Sequence, residues 1–279
     1  MSSKPLVALI SSHEEDERVC LARKAFFDGV LAVTSDVVFH QTFEGFNALL
    51  PNAGIAVIWG VSSNKFGART AYRDVVRDKY KHVICIERGF VDREHYYSAG
   101  WDSVGGEADF CNANAPDDRF KKLNVSLSPW RVFGDYYLLV GQIPHDTSVQ
   151  EIGDYDRWLY RTAETLLESN RVIFRNHPLR HDMPTLPSGV EISTDYLFQD
   201  IKDAHTVVGY SSNTLVEAGF AGKPTVSYGS KAMNYKGFGG RGAWAARLAY
   251  AQWTLDEFRS GEAFTHLLKG RFGNETLRR

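Results

Sequence analysis

Cysteine is scarce. The 279-residue chain has three (Cys20, Cys85, Cys111), scattered and with no CxxC pair. That pattern excludes a disulfide framework, argues against a zinc site and points to a reducing compartment. No run of ~18 apolar residues exists for a membrane span. The apolar stretch after Met1-Ser2-Ser3-Lys4-Pro5 is too short for a secretion signal. A cytoplasmic protein without membrane attachment is therefore expected. Net charge is only −2, so the chain as a whole exerts no broad pull on polyanions. Internal repeats and low-complexity tracts are also missing. What is present is an ordinary globular balance, 43% apolar and 24% charged, with an aromatic content of 13% that suits stacking surfaces or a bulky core.

Short β-rich runs alternate with helical patterns, which predicts βαβ units and a mostly parallel α/β fold. Strands are expected at Leu6–Ile10, Val37–Phe39, Ile55–Trp59 and His82–Ile86, with helices over Glu17–Val30, Phe43–Leu50 and Phe66–Tyr80. Residues 89–130 are rich in Gly, Asn, Asp and Pro, lack periodicity and read as a long functional irregular stretch. A second α/β cycle follows, with strands at Tyr136–Val140, Val172–Arg175, Val190–Ile192, Thr206–Gly209 and Thr225–Tyr228. Its helices are Asp154–Ser169, Tyr196–Lys202 and Asn213–Ala221, and the tail 243–268 reads as broken helical segments.

Three strand exits in the second cycle carry polar groups. Val208-Gly209-Tyr210-Ser211-Ser212-Asn213-Thr214 runs from a strand into a helix, where N–H groups and hydroxyls suit an anion; Glu217 follows one turn later. Ser212 also reads as a plain helix cap. Arg175-Asn176-His177-Pro178 leaves a neighbouring strand at its carboxyl end, where open α/β sheets bind ligands. Gly141-Gln142 leaves a third, followed by Asp146 and Ser148. Asp154-Tyr155-Asp156 has the form of a metal-binding triplet, but an N-cap at Asp154 explains it without a metal, and none is expected.

Taken in order, Gly141-Gln142, Asp146-x-Ser148, His177-Pro178, Ser211-Ser212 and Glu217-Ala218 with Gly222-Lys223-Pro224 resemble the nucleotide-binding half of GT-B glycosyltransferases, notably the group of capsule polysaccharide Kdo transferases. Glu87-Arg88-Gly89-Phe90, Gly100-Trp101-Asp102-Ser103 and the segment Trp244–Thr254 resemble bacteriophage glycosyltransferases that modify hydroxymethylpyrimidines in DNA. The resemblance implies a GT-B fold, two Rossmann-like domains facing across a cleft. Residues 1–133 would bind acceptor, 134–245 would bind nucleotide-sugar, and 246–279 would be C-terminal helices able to return to the first domain. It implies Gly141, Gln142, Arg175, His177, Pro178, Ser211, Ser212, Asn213, Thr214 and Glu217 as the donor site, with Glu217 on the ribose. The donor is expected to be a UDP-sugar, glucose favoured, with no tightly bound cofactor.

An inverting transfer needs a carboxylate to take the acceptor proton. Asp102 and Glu87 are the candidates, though each also reads as half of an ion pair. A double-stranded DNA acceptor needs phosphate contacts: Lys65, Arg69, Arg73 and Arg77 recur at helical spacing, and Arg241 lies in a glycine-rich segment. The expected activity is sugar transfer to modified pyrimidines in phage DNA. The alternative is transfer to a surface polysaccharide from a Kdo-type or other nucleotide-sugar. A non-catalytic nucleotide- or DNA-binding protein is a third reading.

Overall fold

The computed structural model describes residues 6–12, 17–42, 50–60, 68–123, 125–144, 146–229 and 239–274. The chain divides into two units, Met1–Phe120 with Ala246–Arg279, and Lys121–Ala245. Among the described residues no helix is long and apolar enough to cross a membrane.

The first unit contains β1 (Val7–Ser12), α1 (Glu17–Val33), β2 (Val37–Thr42), β3 (Ile55–Trp59), α2 (Ala68–Lys79), β4 (Val83–Arg88) and β5 (Tyr96–Trp101). The short helix α3 (Asp118–Lys122) ends it. The second unit contains β6 (Tyr137–Val140), α4 (Tyr155–Leu167), β7 (Val172–Arg175), β8 (Glu191–Ile192), α5 (Leu197–Asp203), β9 (Thr206–Gly209), α6 (Thr214–Phe220) and β10 (Thr225–Ser227). Helix α7 (Arg241–Ala249) crosses the second boundary, and β11 (Gln252–Thr254), α8 (Leu255–Arg259) and α9 (Glu262–Phe272) complete the first unit. The expected helix at Phe43–Leu50 falls largely outside the described residues.

The first sheet runs β11-β5-β4-β3-β1-β2, parallel from β4 through β2, with β5 and β11 each antiparallel to its inner neighbour. All five residues of β3 are buried, as expected of a strand covered on both faces. Leu9, Val57 and Ile84 share one core with Phe26, Phe258 and Phe264; Ile10, Ile58 and Cys85 share another with Val76 and Tyr80. Residues 89–130 are thus less irregular than their composition suggests, since they contain β5. Its small residues serve a close approach: a Cβ on Gly100 would lie 2.8 Å from the Phe110 ring and from Ala108.

Arg119 ties this unit together. Its guanidinium donates to the carbonyls of Ala249 (3.0 Å) and Gln252 (2.9 Å), pairs with both Glu257 oxygens (2.6 and 3.1 Å) and lies 3.9 Å from the Trp253 ring centroid. Glu257 also completes a capping box with Thr254 that starts α8.

The second sheet is wholly parallel, ordered β10-β9-β6-β7-β8. The chain proceeds outward from β6 through β7 to β8, then returns to the other side of β6 for β9 and β10. The strand order therefore reverses between β6 and β9. Leu139, Phe174 and Val208 from the sheet pack on Tyr155, Leu159 and Ala163 of α4, whose spacing of four residues puts them on one helix face.

Candidate functional site

In an open parallel sheet the loops beyond two strands part where the order reverses, leaving a crevice at their carboxyl ends. The loops after β6 and β9 part there, and Gln142 bridges them. The Ser211 N–H donates to its Oε1 (2.9 Å), and its Nε2 donates to the hydroxyls of Ser211 (3.1 Å) and Ser148 (3.1 Å). The Ser211 hydroxyl in turn donates to the Ser148 carbonyl (2.8 Å). The Gln142 backbone N–H donates to the Tyr155 phenol (2.8 Å), whose pKa burial pushes up, keeping it protonated. Gln142 is 6% exposed and its amide is fully engaged, so it positions the loops rather than offering itself to a ligand.

The ladders pair Val140 with Arg175 and Leu139 with Val208. Gln142, His177 and Ser211 each stand two residues beyond the end of their strands. Strands β7 and β9 flank β6, so His177 and Ser211 leave strands about 10 Å apart. The His177 Nδ1 accepts the Leu179 N–H (3.1 Å), so Nε2 carries the proton of the neutral ring and is a donor. The exposed Pro178 follows it in the turn. Gly141 continues β6: its N–H donates to the Arg175 carbonyl (2.8 Å), and the Phe174 ring occupies the space of a side chain.

The β9 exit is tighter than its sequence implies. Helix α6 has seven residues and is preceded by Asn213 in helical geometry. Part of its first turn is already satisfied: Thr214 N–H donates to the Ser212 hydroxyl (3.3 Å), Leu215 N–H to the Ser212 carbonyl (3.1 Å) and Val216 N–H to the Asn213 carbonyl (2.9 Å). Asn213 reaches Glu217, which stands exposed one turn on (3.4 Å). What this exit offers an anion is chiefly side-chain hydroxyls and an amide. Lys223 is a structural pin, fully buried, donating to the carbonyls of Phe133 (3.0 Å) and Ala204 (2.7 Å), with its pKa lowered by burial.

Arg175 is committed elsewhere. It pairs with Asp200 (2.7 Å) and donates to the Asp195 carbonyl (2.6 Å), so it braces the β7–α5 side of the sheet. Asp154 caps α4 by accepting the Arg157 N–H (3.0 Å). Asp156 holds Arg180 through two hydrogen bonds (2.7 and 2.9 Å). The Asp-x-Asp triplet is thereby occupied by structural bonds, and among the described residues no group of three or more His, Cys, Asp or Glu could hold a metal.

In the first unit the two candidate bases lie at opposite ends of β4. Glu87 is near its carboxyl end and accepts the Arg88 N–H (2.8 Å). A Cβ on Gly60, just past β3, would lie 3.6 Å from a Glu87 oxygen and 3.3 Å from the Arg73 guanidinium, so Arg73 approaches the same edge. Asp102 lies at the other end of β4. Because β5 runs antiparallel, its end falls at the amino end of β4, where Asp102 accepts the Val83 N–H (3.1 Å) and pairs with Arg271. Its backbone is left-handed (φ +66°).

Of the expected DNA-facing set, Lys65 lies outside the described residues, as does the side chain of Arg69. Arg77 is exposed on α2 and Arg73 half-buried. Arg241 donates to the carbonyls of Gly219 (3.0 Å) and Ser128 (2.8 Å) and stacks on Trp130, 4.0 Å from the ring centroid.

Sequence reasoning passed over two partners that set this geometry. These are Tyr155 and Asp200, which go unremarked because neither lies close in sequence to its partner, Gln142 or Arg175.

No family model matches this sequence, and no curated protein does. Among solved structures the chain is similar to Thermosulfurimonas dismutans KpsC, a beta Kdo 2,7 transferase, at TM-score 0.50 and 15% identity, with 92% of this chain and 98% of that one covered. It also aligns with a Methanocaldococcus jannaschii UDP-GlcNAc 2-epimerase, solved with UDP-GlcNAc and UDP, over 79% of this chain and 83% of that one; TM-score 0.28 and 12% identity are too low to define a shared fold. The first likeness is one of fold: the chain shares the α/β fold of that structure.

Proposed function

We propose that the protein is a glycosyltransferase using a nucleotide-activated sugar, and that its acceptor is a surface polysaccharide rather than DNA. The observation that carries this is the Gln142–Ser211 bridge at the strand-order reversal, with His177 two residues past the end of the neighbouring strand β7. Sugar transfer builds an oxocarbenium-like centre while a nucleoside phosphate departs, so donors already aimed at the leaving oxygens lower the barrier. In this reading the His177 Nε2–H and the hydroxyls of Ser212 and Thr214 meet the phosphate, and Glu217 accepts from ribose hydroxyls. Arg175 and Gln142 are positioning residues. Glu87 replaces Asp102 as the base of an inverting reaction. The choice of acceptor is supported by the fold likeness to a Kdo transferase.

The test is incubation with a panel of nucleotide-sugars, UDP-glucose and a Kdo-type donor among them, against carbohydrate acceptors and hydroxymethylated duplex DNA, read by mass of the products. Sugar added to a carbohydrate, abolished by His177→Ala, is expected. Sugar added to a nucleoside would restore the DNA acceptor. Neither release nor transfer of sugar from any donor would sink the transferase reading.

A further inference from the structure

The outer face of α4 carries a groove that the donor crevice does not use. It encloses about 400 Å³, within the span of roughly 300–1,000 Å³ typical of small-ligand sites. One wall is helical. Arg157 and Arg161 stand one turn apart, beside a second row of Asp156, Tyr160 and Glu164 at the same spacing. Thr185 faces them from the loop after β7.

This groove is built rather than incidental. The loop is fastened to α4 by Arg180, whose side chain is 2% exposed and is held by Asp156 (2.7 Å) and Asp182 (2.7 Å). Asn176 secures the same loop by donating to the carbonyls of Arg180 and Asp182 (3.0 Å each). The loop that bears His177 at the crevice thus bears Thr185 at the groove. Arg180 neutralises Asp156 and the helix amide of Arg157 engages Asp154, while Arg157 and Arg161 have no ion-pair partner among the described residues.

The lining selects a class of ligand. Two forked guanidiniums one turn apart match carboxylates. Glu164 and the hydroxyl of Thr185 accept from sugar hydroxyls, and the half-open ring of Tyr160 offers a face to sugar C–H groups. Two arginines are too few for the uniformly basic track that a nucleic-acid backbone needs. We infer that the α4 groove binds an oligosaccharide carrying carboxylate groups. This rests on the polysaccharide reading for its biological sense, but the binding is measurable without it.

The experiment titrates the full chain calorimetrically with tetragalacturonate, with neutral maltotetraose and with a short DNA duplex, and measures nucleotide-sugar affinity in parallel. Tetragalacturonate is expected to bind and to weaken by an order of magnitude, ~10-fold, in Arg157→Gln/Arg161→Gln, since two charge-assisted contacts are lost. Both arginines are exposed, so the urea midpoint should not move. Tyr160→Ala should weaken binding too, and His177→Ala should not. Equal binding by the double variant, or preference for maltotetraose or DNA, overturns the groove. Loss of nucleotide-sugar binding with tetragalacturonate binding intact sinks the transferase reading and leaves the groove standing.

Discussion

Gln142 and Ser211, 69 residues apart in sequence, hold each other by backbone and side chain at once: Oε1 takes the Ser211 N–H at 2.9 Å while Nε2 gives to its hydroxyl at 3.1 Å. Gln142→Leu takes the acceptor from the Ser211 N–H, while the Ser211 hydroxyl keeps only the Ser148 carbonyl. It should cost about 1–3 kcal/mol in urea unfolding and weaken nucleotide-sugar binding. Gln142→Glu should be nearly as damaging, because an ionised carboxylate accepts but cannot donate.

His177→Ala should separate function from stability. The ring is partly exposed, so the urea midpoint should shift little, whereas turnover should fall by roughly 10²–10³ if Nε2–H meets the departing phosphate. Steady-state kinetics with an unchanged unfolding curve is the expected pair of results.

The two carboxylates of β4 and its neighbour should behave oppositely. Glu87→Gln should abolish transfer. Asp102→Asn, at the other end of the sheet, should leave turnover within a few-fold and lower stability through its lost pairing with Arg271. Loss of activity in Asp102→Asn with an unaltered unfolding curve would reverse the assignment.

Arg180 sits almost fully buried between two acids that are themselves partly exposed. Arg180→Ala strands no buried charge but empties the anchor of the loop, whereas Asp156→Asn leaves the guanidinium short of its two-pronged partner. Asp156→Asn should therefore be the more harmful of the two acid substitutions, at about 1–2 kcal/mol since the carboxylate is half-exposed and Arg180 keeps Asp182, with Asp182→Asn milder. Chemical denaturation of the two variants gives the order directly.

Acid should destabilise the fold. His40, His82 and His266 all have folded pKa values lowered from 6.5, first by burial. Around His266, Arg119 and Lys269 add to the effect and the Phe110 carbonyl opposes it. Below pH 6.5 the unfolded chain takes up protons that the folded chain refuses, so stability present above that pH is lost as pH falls. His95 has the opposite sign, raised by its hydrogen bond to Asp92, but it lies on the surface where solvent screens it. Urea midpoints should drop between pH 7.5 and 5.5, and less steeply in His266→Gln.

Strands such as β3 and β6 were legible because each is a continuous apolar run. β5 was not: its Ser-Ala-Gly stretch resembles a loop, and Gly100 is bare because Ala108 and Phe110 pack against it. β11 hid for another reason, having three residues and partners 154 to 158 positions away. At the site, the strand exits bearing Gln142, His177 and Ser211 could be picked out by residue type. Their division of labour could not, because whether an arginine serves a ligand or a neighbouring acid depends on a partner such as Asp200, which local sequence does not reveal.

Both places where the chain passes from one unit to the other lie within a few residues of groups gripped by Arg119, which follows directly from its bonds to Ala249, Gln252 and Glu257. One planar cation therefore links, within the first unit, the stretch before the first crossing to the stretch after the second, and a lysine there, with a single tip instead of a fork, could keep only part of that set of bonds.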